Sequence, residues 1–410
     1  MTCLYAKSIA GMQLCLLLAI VGVGIGSAHA QTYTVLYDLP PGSNGSPYST
    51  LLRDHSGRLY GTISGNVACP DGLIFQFKPA GAGWIFNPLH CFDDHDGSAP
   101  IDYGGLTVGP DGAFYGTTSF GGSAGGGVVF KINPGPMACT TALCPWTLTV
   151  IHNFVGEQDA AEPYGNVTFD AAGNLYGTTL HGSPSGGGRV FKMTRAGSGW
   201  SESVIYSFSD SEPDLQAGVV VDAQGNVYGV RPYGGLQSCL FGCGYIFELT
   251  PSDGGYTEQT IYQFTGGADG FNPKGGLILD SSGNLYGSTT RGGNFGGGGI
   301  LFKLSSSGGG WTLTPLCGFA GNGGPQSPLT MDAAGNLYGT TLYDGHGVGS
   351  VFQAVRSGNS WTCSDLYKFE LSSGGYQPIA GVTLDSDGNL FGTASIGGAN
   401  NSGVIWEITP

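Results

Sequence analysis

Short runs of alternating apolar and polar residues, each closed by a turn rich in Gly, Asp or Asn, follow one another from residue 32 to the C-terminus. The stretch 165–208 is representative. "GNVTFD" (165–170), "NLYGTT" (174–179), "RVFKM" (189–193) and "WSESVIYSF" (200–208) have the composition of β-strands, and turn formers separate them. No window sustains apolar residues at helical spacing. The pattern predicts an all-β protein.

The same four-run unit recurs along the chain. Its centre is "LYGT" at 59–62, "FYGT" at 114–117, "LYGT" at 175–178, "VYGV" at 227–230, "LYGS" at 285–288, "LYGT" at 337–340 and "LFGT" at 390–393. The aromatic position recurs every 52 to 61 residues. Four short strands per repeat is the signature of a propeller blade. The expected fold is therefore a seven-bladed β-propeller of 28 antiparallel strands over residues 31–410. The last unit stops after its third run, "GVIWEITP" (403–410), and the missing fourth run is "TYTVLYDL" (32–39). The N-terminal strand is expected to complete the last blade, closing the ring and leaving no bare sheet edge.

Repetition assigns most conspicuous residues to packing. The turn "DAAGN" (170–174) and its variants supply an Asp that can bond its own backbone and a Gly that can take positive φ. Tyr33, Trp84, Trp146, Trp200, Tyr256, Trp311 and Trp361 open the fourth run of every unit and should pack between blades. His90, His152 and Cys317 share one slot with Tyr206, Tyr262 and Tyr367, and Trp406 takes a slot held elsewhere by Phe130, Phe191 and Phe302. Glycine loops such as "GSPSGGG" (182–188) feed strands and lack the Lys-Ser/Thr of a phosphate-binding loop. "DSDGN" (385–389) lacks the calcium-loop pattern ending in Glu, so no cofactor is expected, calcium remaining an alternative that no motif supports.

Composition adds compartment and charge. Residues 1–30 combine Lys7, the apolar run 14–25 and the small residues of "SAHA" (27–30), as in a cleavable export signal. The rest has no second long apolar run, so no membrane span is expected in the mature chain. The formal net charge is −15, which disfavours nucleic acid and anionic membranes. Of ten cysteines, Cys3 and Cys15 lie in the signal. The other eight suit disulfides in an oxidising compartment. Close spacing nominates Cys139 with Cys144 and Cys239 with Cys243, while Cys69, Cys91, Cys317 and Cys363 stay unassigned.

Candidate binding residues come from the rim loops. The loops between second and third runs share one rim with those joining each unit to the next. The latter carry Asp93, Asp96, Glu157, Asp159, Asp210, Asp214 and Asp269. Asp96, Asp159 and Asp269 sit four residues before a Pro in their units. The fourth unit has the most individual loop, "RPYGGLQSCLFGCG" (231–244), which adds Arg231 and Tyr233. Two functions fit. One is a non-catalytic, monomeric binding or scaffold propeller for glycan or protein ligands at the cell surface or in the periplasm. The alternative is an extracellular polysaccharide hydrolase or lyase using rim carboxylates, which for hydrolysis must face each other ~5–10 Å apart.

The tandem pattern "GNLYGTT…GG…GG.VFK" resembles the GloVer-type repeat of exported bacterial proteins, the choice-of-anchor type, across essentially the whole mature chain. The resemblance implies a propeller-like repeat and export. It implies no reaction, and with no anchor motif recognisable in the sequence no C-terminal anchor is expected.

Overall fold

The computed structural model describes residues 31–40, 47–81, 83–100, 105–134, 146–155, 161–182, 187–208, 215–321, 323–343, 347–358, 360–371 and 374–410. The expected signal segment lies outside them. The described strands form seven antiparallel sheets, the blades of a seven-bladed propeller. Blades 1 to 7 are named here in chain order by their second strands: Leu59–Ile63, Phe114–Phe120, Leu175–His181, Val227–Arg231, Leu285–Ser288, Leu337–Thr341 and Leu390–Ala394. In blade 3 the order from the innermost strand outwards is Thr168–Phe169, Leu175–His181, Arg189–Ala196 and Gly199–Ser207. Second and third strands are covered on both faces, which is why their sequences read as nearly continuous apolar runs. The outermost strand alternates between half-buried and exposed residues.

Thr32–Asp38 pairs antiparallel with Val404–Thr409 in the sheet that also holds Leu390–Ala394 and Thr383–Leu384. The ring is thus closed by main-chain hydrogen bonds between the chain's two ends, as expected. Two details differ. There are 30 strands among the described residues rather than 28, because Ser98–Pro100 and Ala161–Pro163 add short pairings to the second strands of blades 2 and 3. Tyr33 pairs with Ile408, whereas Trp200 pairs with Arg195. Tyr33 therefore stands at the level of Glu202, two residues inward of the expected slot, because Glu202 pairs with Met193, the counterpart of Ile408. It still packs between blades, stacked 4.0 Å from Tyr367 of blade 6.

The geometry explains each letter of the repeated motif. The turn Asp170 accepts the N–H groups of Ala172 and Asn174 on Oδ1 (2.9 and 2.8 Å) and the Tyr176 hydroxyl on Oδ2 (3.0 Å). The same Tyr-to-Asp bond joins Tyr60 to Asp54, Tyr115 to Asp111, Tyr228 to Asp222, Tyr286 to Asp280 and Tyr338 to Asp332. Blade 7 has Phe391 in place of Tyr, and its Asp385 instead lies 3.7 Å from Arg53 of blade 1, across the closure. The Gly of the motif leaves room for a ring. A Cβ on Gly177 would lie 2.4 Å from Phe191, and the equivalent Gly meets Phe75, Phe130, Phe247, Phe302, Phe352 and Trp406 in the other six blades. The Thr ties neighbours together. Thr178, Thr340 and Thr393 donate to the carbonyls of Ala217, Ala380 and Pro47 in the following blade (2.9, 2.8 and 2.7 Å).

A feature invisible to alternation analysis recurs in every outermost strand. The register slips by one residue at the same level, leaving Leu36, Leu89, Ile151, Ile205, Ile261, Leu316 and Leu366 between paired neighbours. Such bulges increase strand twist. The unpaired residue is Leu or Ile in all seven cases, so the bulge places an aliphatic side chain where the blade's outer strand meets its neighbours.

Two predictions follow from these contacts. Gly177→Ala should lower unfolding free energy by about 1–3 kcal/mol through overpacking, read from urea midpoints. Phe191→Leu in the same chain should recover part of that loss, because the ring tip is what the new methyl meets.

Acid should also weaken the fold. Burial alone would raise the carboxyls of Asp54, Asp111, Asp170, Asp280 and Asp332, but the hydrogen bonds they accept outweigh it and hold each below the ordinary value. Asp111, bonded also by Lys131, falls to about 2. A depressed carboxyl contributes stability that is complete above its unfolded pKa, about 3.9, and disappears as pH falls through the folded value. Thermal melts should be flat from neutral pH down to about 5 and fall steeply below about 4. An even decline across the whole range would contradict the assignment.

Candidate functional site

The two loop sets expected on one rim do meet there. Main-chain bridges join Phe271 to Arg291, Gly323 to Tyr343 and Tyr376 to Ile396, each linking the loop before a blade's innermost strand to the loop after its second strand. Neighbouring blades are latched at the same level. Ala99, Glu162, Asn272 and Gln377, each just before a Pro, adopt φ between 50° and 61°. Their N–H groups donate to Asp71, Gly126, Cys243 and Val348 of the preceding blade at 2.8 to 3.0 Å. A left-handed non-glycine residue costs roughly 1–3 kcal/mol, and the inter-blade bond offsets part of it.

The sequence-nominated acids that are described make loop structure. Asp93 Oδ1 accepts the N–H groups of His95 and Asp96 in an exposed turn. Asp96 Oδ2 lies 2.7 Å from His90 Nε2, and its Oδ1 accepts the Asp93 N–H. Asp269, only 9% exposed, accepts the Tyr262 hydroxyl at 3.1 Å and the Thr265 N–H at 2.8 Å. Asp96 and Asp269 thus do one job, clasping the residue in the shared His/Tyr slot of the outermost strand. Arg231 is 1% exposed, donates to the Tyr245 hydroxyl at 3.1 Å and lies 4.5 Å from the Phe208 ring centroid. Its guanidinium is packed inside rather than presented on the rim. Glu157, Asp159, Asp210 and Asp214 lie outside the described residues, as do Cys139 and Cys144.

Three disulfides are formed among the described residues. Cys239–Cys243 staples the fourth-unit loop as expected, Cys69 pairs with Cys91, and Cys317 pairs with Cys363. The last joins the outermost strands of blades 5 and 6. Such bonds fit an oxidising compartment. Among the described residues no helix is long and apolar enough to cross a membrane.

The stapled loop holds Leu240 (81% exposed) and Phe241 (58% exposed) over the rim, and Tyr233 sits beneath them with its ring 6.2 Å from that of Phe241. These three side chains form one wall of a cleft of about 430 Å³. Phe271, Lys274 and Arg291 of blade 5 and Gln326 and Tyr343 of blade 6 also line it. Asn272 holds blades 4 and 5 together, its Nδ2 donating to the Pro232 carbonyl (3.3 Å) and its Oδ1 accepting the Thr290 hydroxyl (2.7 Å). The Tyr343 hydroxyl accepts from Gln377 Nε2 of blade 7 at 3.1 Å. Lys274 and Gln326 also line the central channel beneath, a space of about 280 Å³ bounded by innermost-strand residues such as Thr168, Ile278 and Thr330. Burial, and then the like charge of Arg291, push the Lys274 ammonium below its usual range.

Of the nominated residues that are described, only Tyr233 lines this cleft. Lys274 and Arg291 were missed, although a signal existed. At the repeat position that holds Lys274, the other units of the sequence carry Tyr48, Ile101, Tyr164, Gln216, Gln326 and Ile379. Lys274 is the single cation in that series.

The family model describing the Gloeobacter/Verrucomicrobia repeat matches residues 26–241, 143–313 and 236–410. The chain belongs to this repeat family. No curated protein matches it. Among solved structures it is similar to PorZ, a bacterial surface component of the type-IX secretion system of Porphyromonas gingivalis. There the identity is 14% and the TM-score 0.53, over 92% of this chain and 48% of PorZ. It is also similar to the polysaccharide lyase Uly1 (12% identity, TM-score 0.49, 94% of each chain). A gluconolactonase from Xanthomonas campestris matches at 12% identity and TM-score 0.42, over 92% of this chain and 89% of the other. Identities this low speak to the fold alone.

Replacing Cys239 and Cys243 by Ala should loosen that cleft wall without unfolding the ring. Chymotrypsin should then cut after Leu240 or Phe241 much faster than in the parent, while the unfolding free energy from urea melts falls by no more than about 2 kcal/mol. Unchanged cleavage would mean that the staple does not order the loop.

Proposed function

We propose that this protein is an exported, non-catalytic binding propeller that takes a glycan or protein ligand at the channel mouth over blades 4 to 6. The observation that carries this reading is the cleft itself. Exposed apolar side chains are normally scattered, and a cluster held out by a disulfide marks a contact surface. Most of its walls are fixed before any ligand arrives, through the Asn272 and Tyr343 hydrogen bonds, so little ordering cost is left for binding. The three disulfides support function outside the cytoplasm.

Hydrolysis by rim carboxylates has less support. The described residues lining the cleft include no carboxylate, and Asp96 and Asp269 are engaged in loop hydrogen bonds. The reading is tested by screening the full chain on glycan and peptide arrays and repeating the screen with Phe241→Ala and Tyr343→Ala. A ligand class should appear whose signal drops about tenfold or more in both variants, as expected for central aromatic contacts. Shortening of a bound polysaccharide by the parent protein would overturn the non-catalytic assignment.

A further inference from the structure

The cleft collects positive charge on an acidic protein. The chain has 14 Lys and Arg against 29 Asp and Glu, and several cations are matched. Lys131 and Arg195 converge on Asp111 (2.8 and 3.0 Å), Arg53 faces Asp385 and Lys368 faces Asp365. Lys274 and Arg291 are different. They line one cleft, burial and then the Arg291 charge disfavour the charge of Lys274, and among the described residues no carboxylate pairs with either. Two like charges lining one cleft repel each other, and an anionic guest offsets that repulsion. The Arg291 main chain is held on both sides by its bridge to Phe271, so its position does not depend on a ligand.

The remaining walls restrict which anion fits. Tyr233, Phe241 and Tyr343 put three aromatic side chains in the same cleft as Lys274 and Arg291, and Gln326 also lines it. A bare inorganic anion has nothing to offer those rings. A sugar ring offers C–H faces to aromatics and hydroxyls to amides, and a sugar acid adds a carboxylate that suits the planar fork of Arg. About 430 Å³ is within the range of roughly 300–1,000 Å³ in which small ligands are held.

We propose that this cleft binds a carboxylate-bearing sugar chain, with Lys274 and Arg291 on the acid group and Tyr233, Phe241 and Tyr343 against the sugar rings. The proposal rests on the binding reading above and narrows its ligand. An acidic peptide would satisfy the cations but leaves the ring-face contacts without a matching partner.

The test is calorimetric titration of the full chain with trigalacturonate, its methyl ester and a glutamate-rich peptide, at low and at raised salt. Trigalacturonate should bind, more weakly at raised salt, and the ester should lose about tenfold or more, the usual loss for hydrogen bonds to a charged group. Lys274→Gln and Arg291→Gln should each weaken the acid by a similar factor and leave the ester unchanged, with melts confirming that both variants fold. Equal binding of acid and ester would overturn the acidic-sugar assignment while leaving a glycan-binding propeller standing. Binding of the peptide alone, of none of the three, or unchanged affinity in both variants would overturn it as well.

Discussion

Every blade of this propeller turns on one missing methyl group. In each second strand a Gly faces the ring of a Phe or Trp on the third strand, so closely that any Cβ would overlap it. The ring thereby lies flat on the sheet instead of standing off it, and neighbouring blades can approach. The Tyr before that Gly reaches back to the turn Asp, and the Thr after it reaches forward to the next blade. Three consecutive residues thus serve the turn, the blade interior and the inter-blade joint. The Gly stands in all seven units, the Tyr in six and the Thr in five; the recurrence reflects a packing requirement, and no chemistry is needed to explain it.

Where the repeat is broken, the compensation is visible. Phe391 cannot reach its turn Asp, and Asp385 faces Arg53 across the seam where the two chain ends meet. Trp406 replaces Phe in the same blade and is fully buried, with Gly392 beneath its ring. Both substitutions fall in the blade assembled from two distant segments, where Tyr33 also sits two residues from its expected level. The fourth unit is broken differently. Its enlarged loop is stapled by Cys239–Cys243 and exposes Leu240 and Phe241 rather than covering them. Closure accounts for the first irregularity, and the second is confined to the stapled loop of one blade.

The rim acids and the rim cations illustrate opposite errors of reading by type. Asp96 and Asp269 look available in sequence, yet each is used to clasp an outer-strand side chain. Arg231 sits in the most individual loop, yet its guanidinium is buried over Phe208. Lys274 looks like one more polar residue at a strand entrance, yet it stands where the channel and the cleft join, near a second cation.

The amino-acid sequence by itself determined the all-β class, the seven units, the four strands in each, and the closure by residues 32–38. These follow from short-range alternation and turn chemistry, and repetition multiplies a weak local signal sevenfold. It also determined that the glycine loops feed strands. The outer-strand bulges, the pairing of Cys69 with Cys91 and Cys317 with Cys363, and the composition of the cleft were decided only by tertiary structure. A bulge depends on which partner strand sets the register, and disulfide pairing depends on which blades become neighbours. The cleft gathers side chains from three blades, and their burial and mutual charge have no counterpart in the linear order of residues.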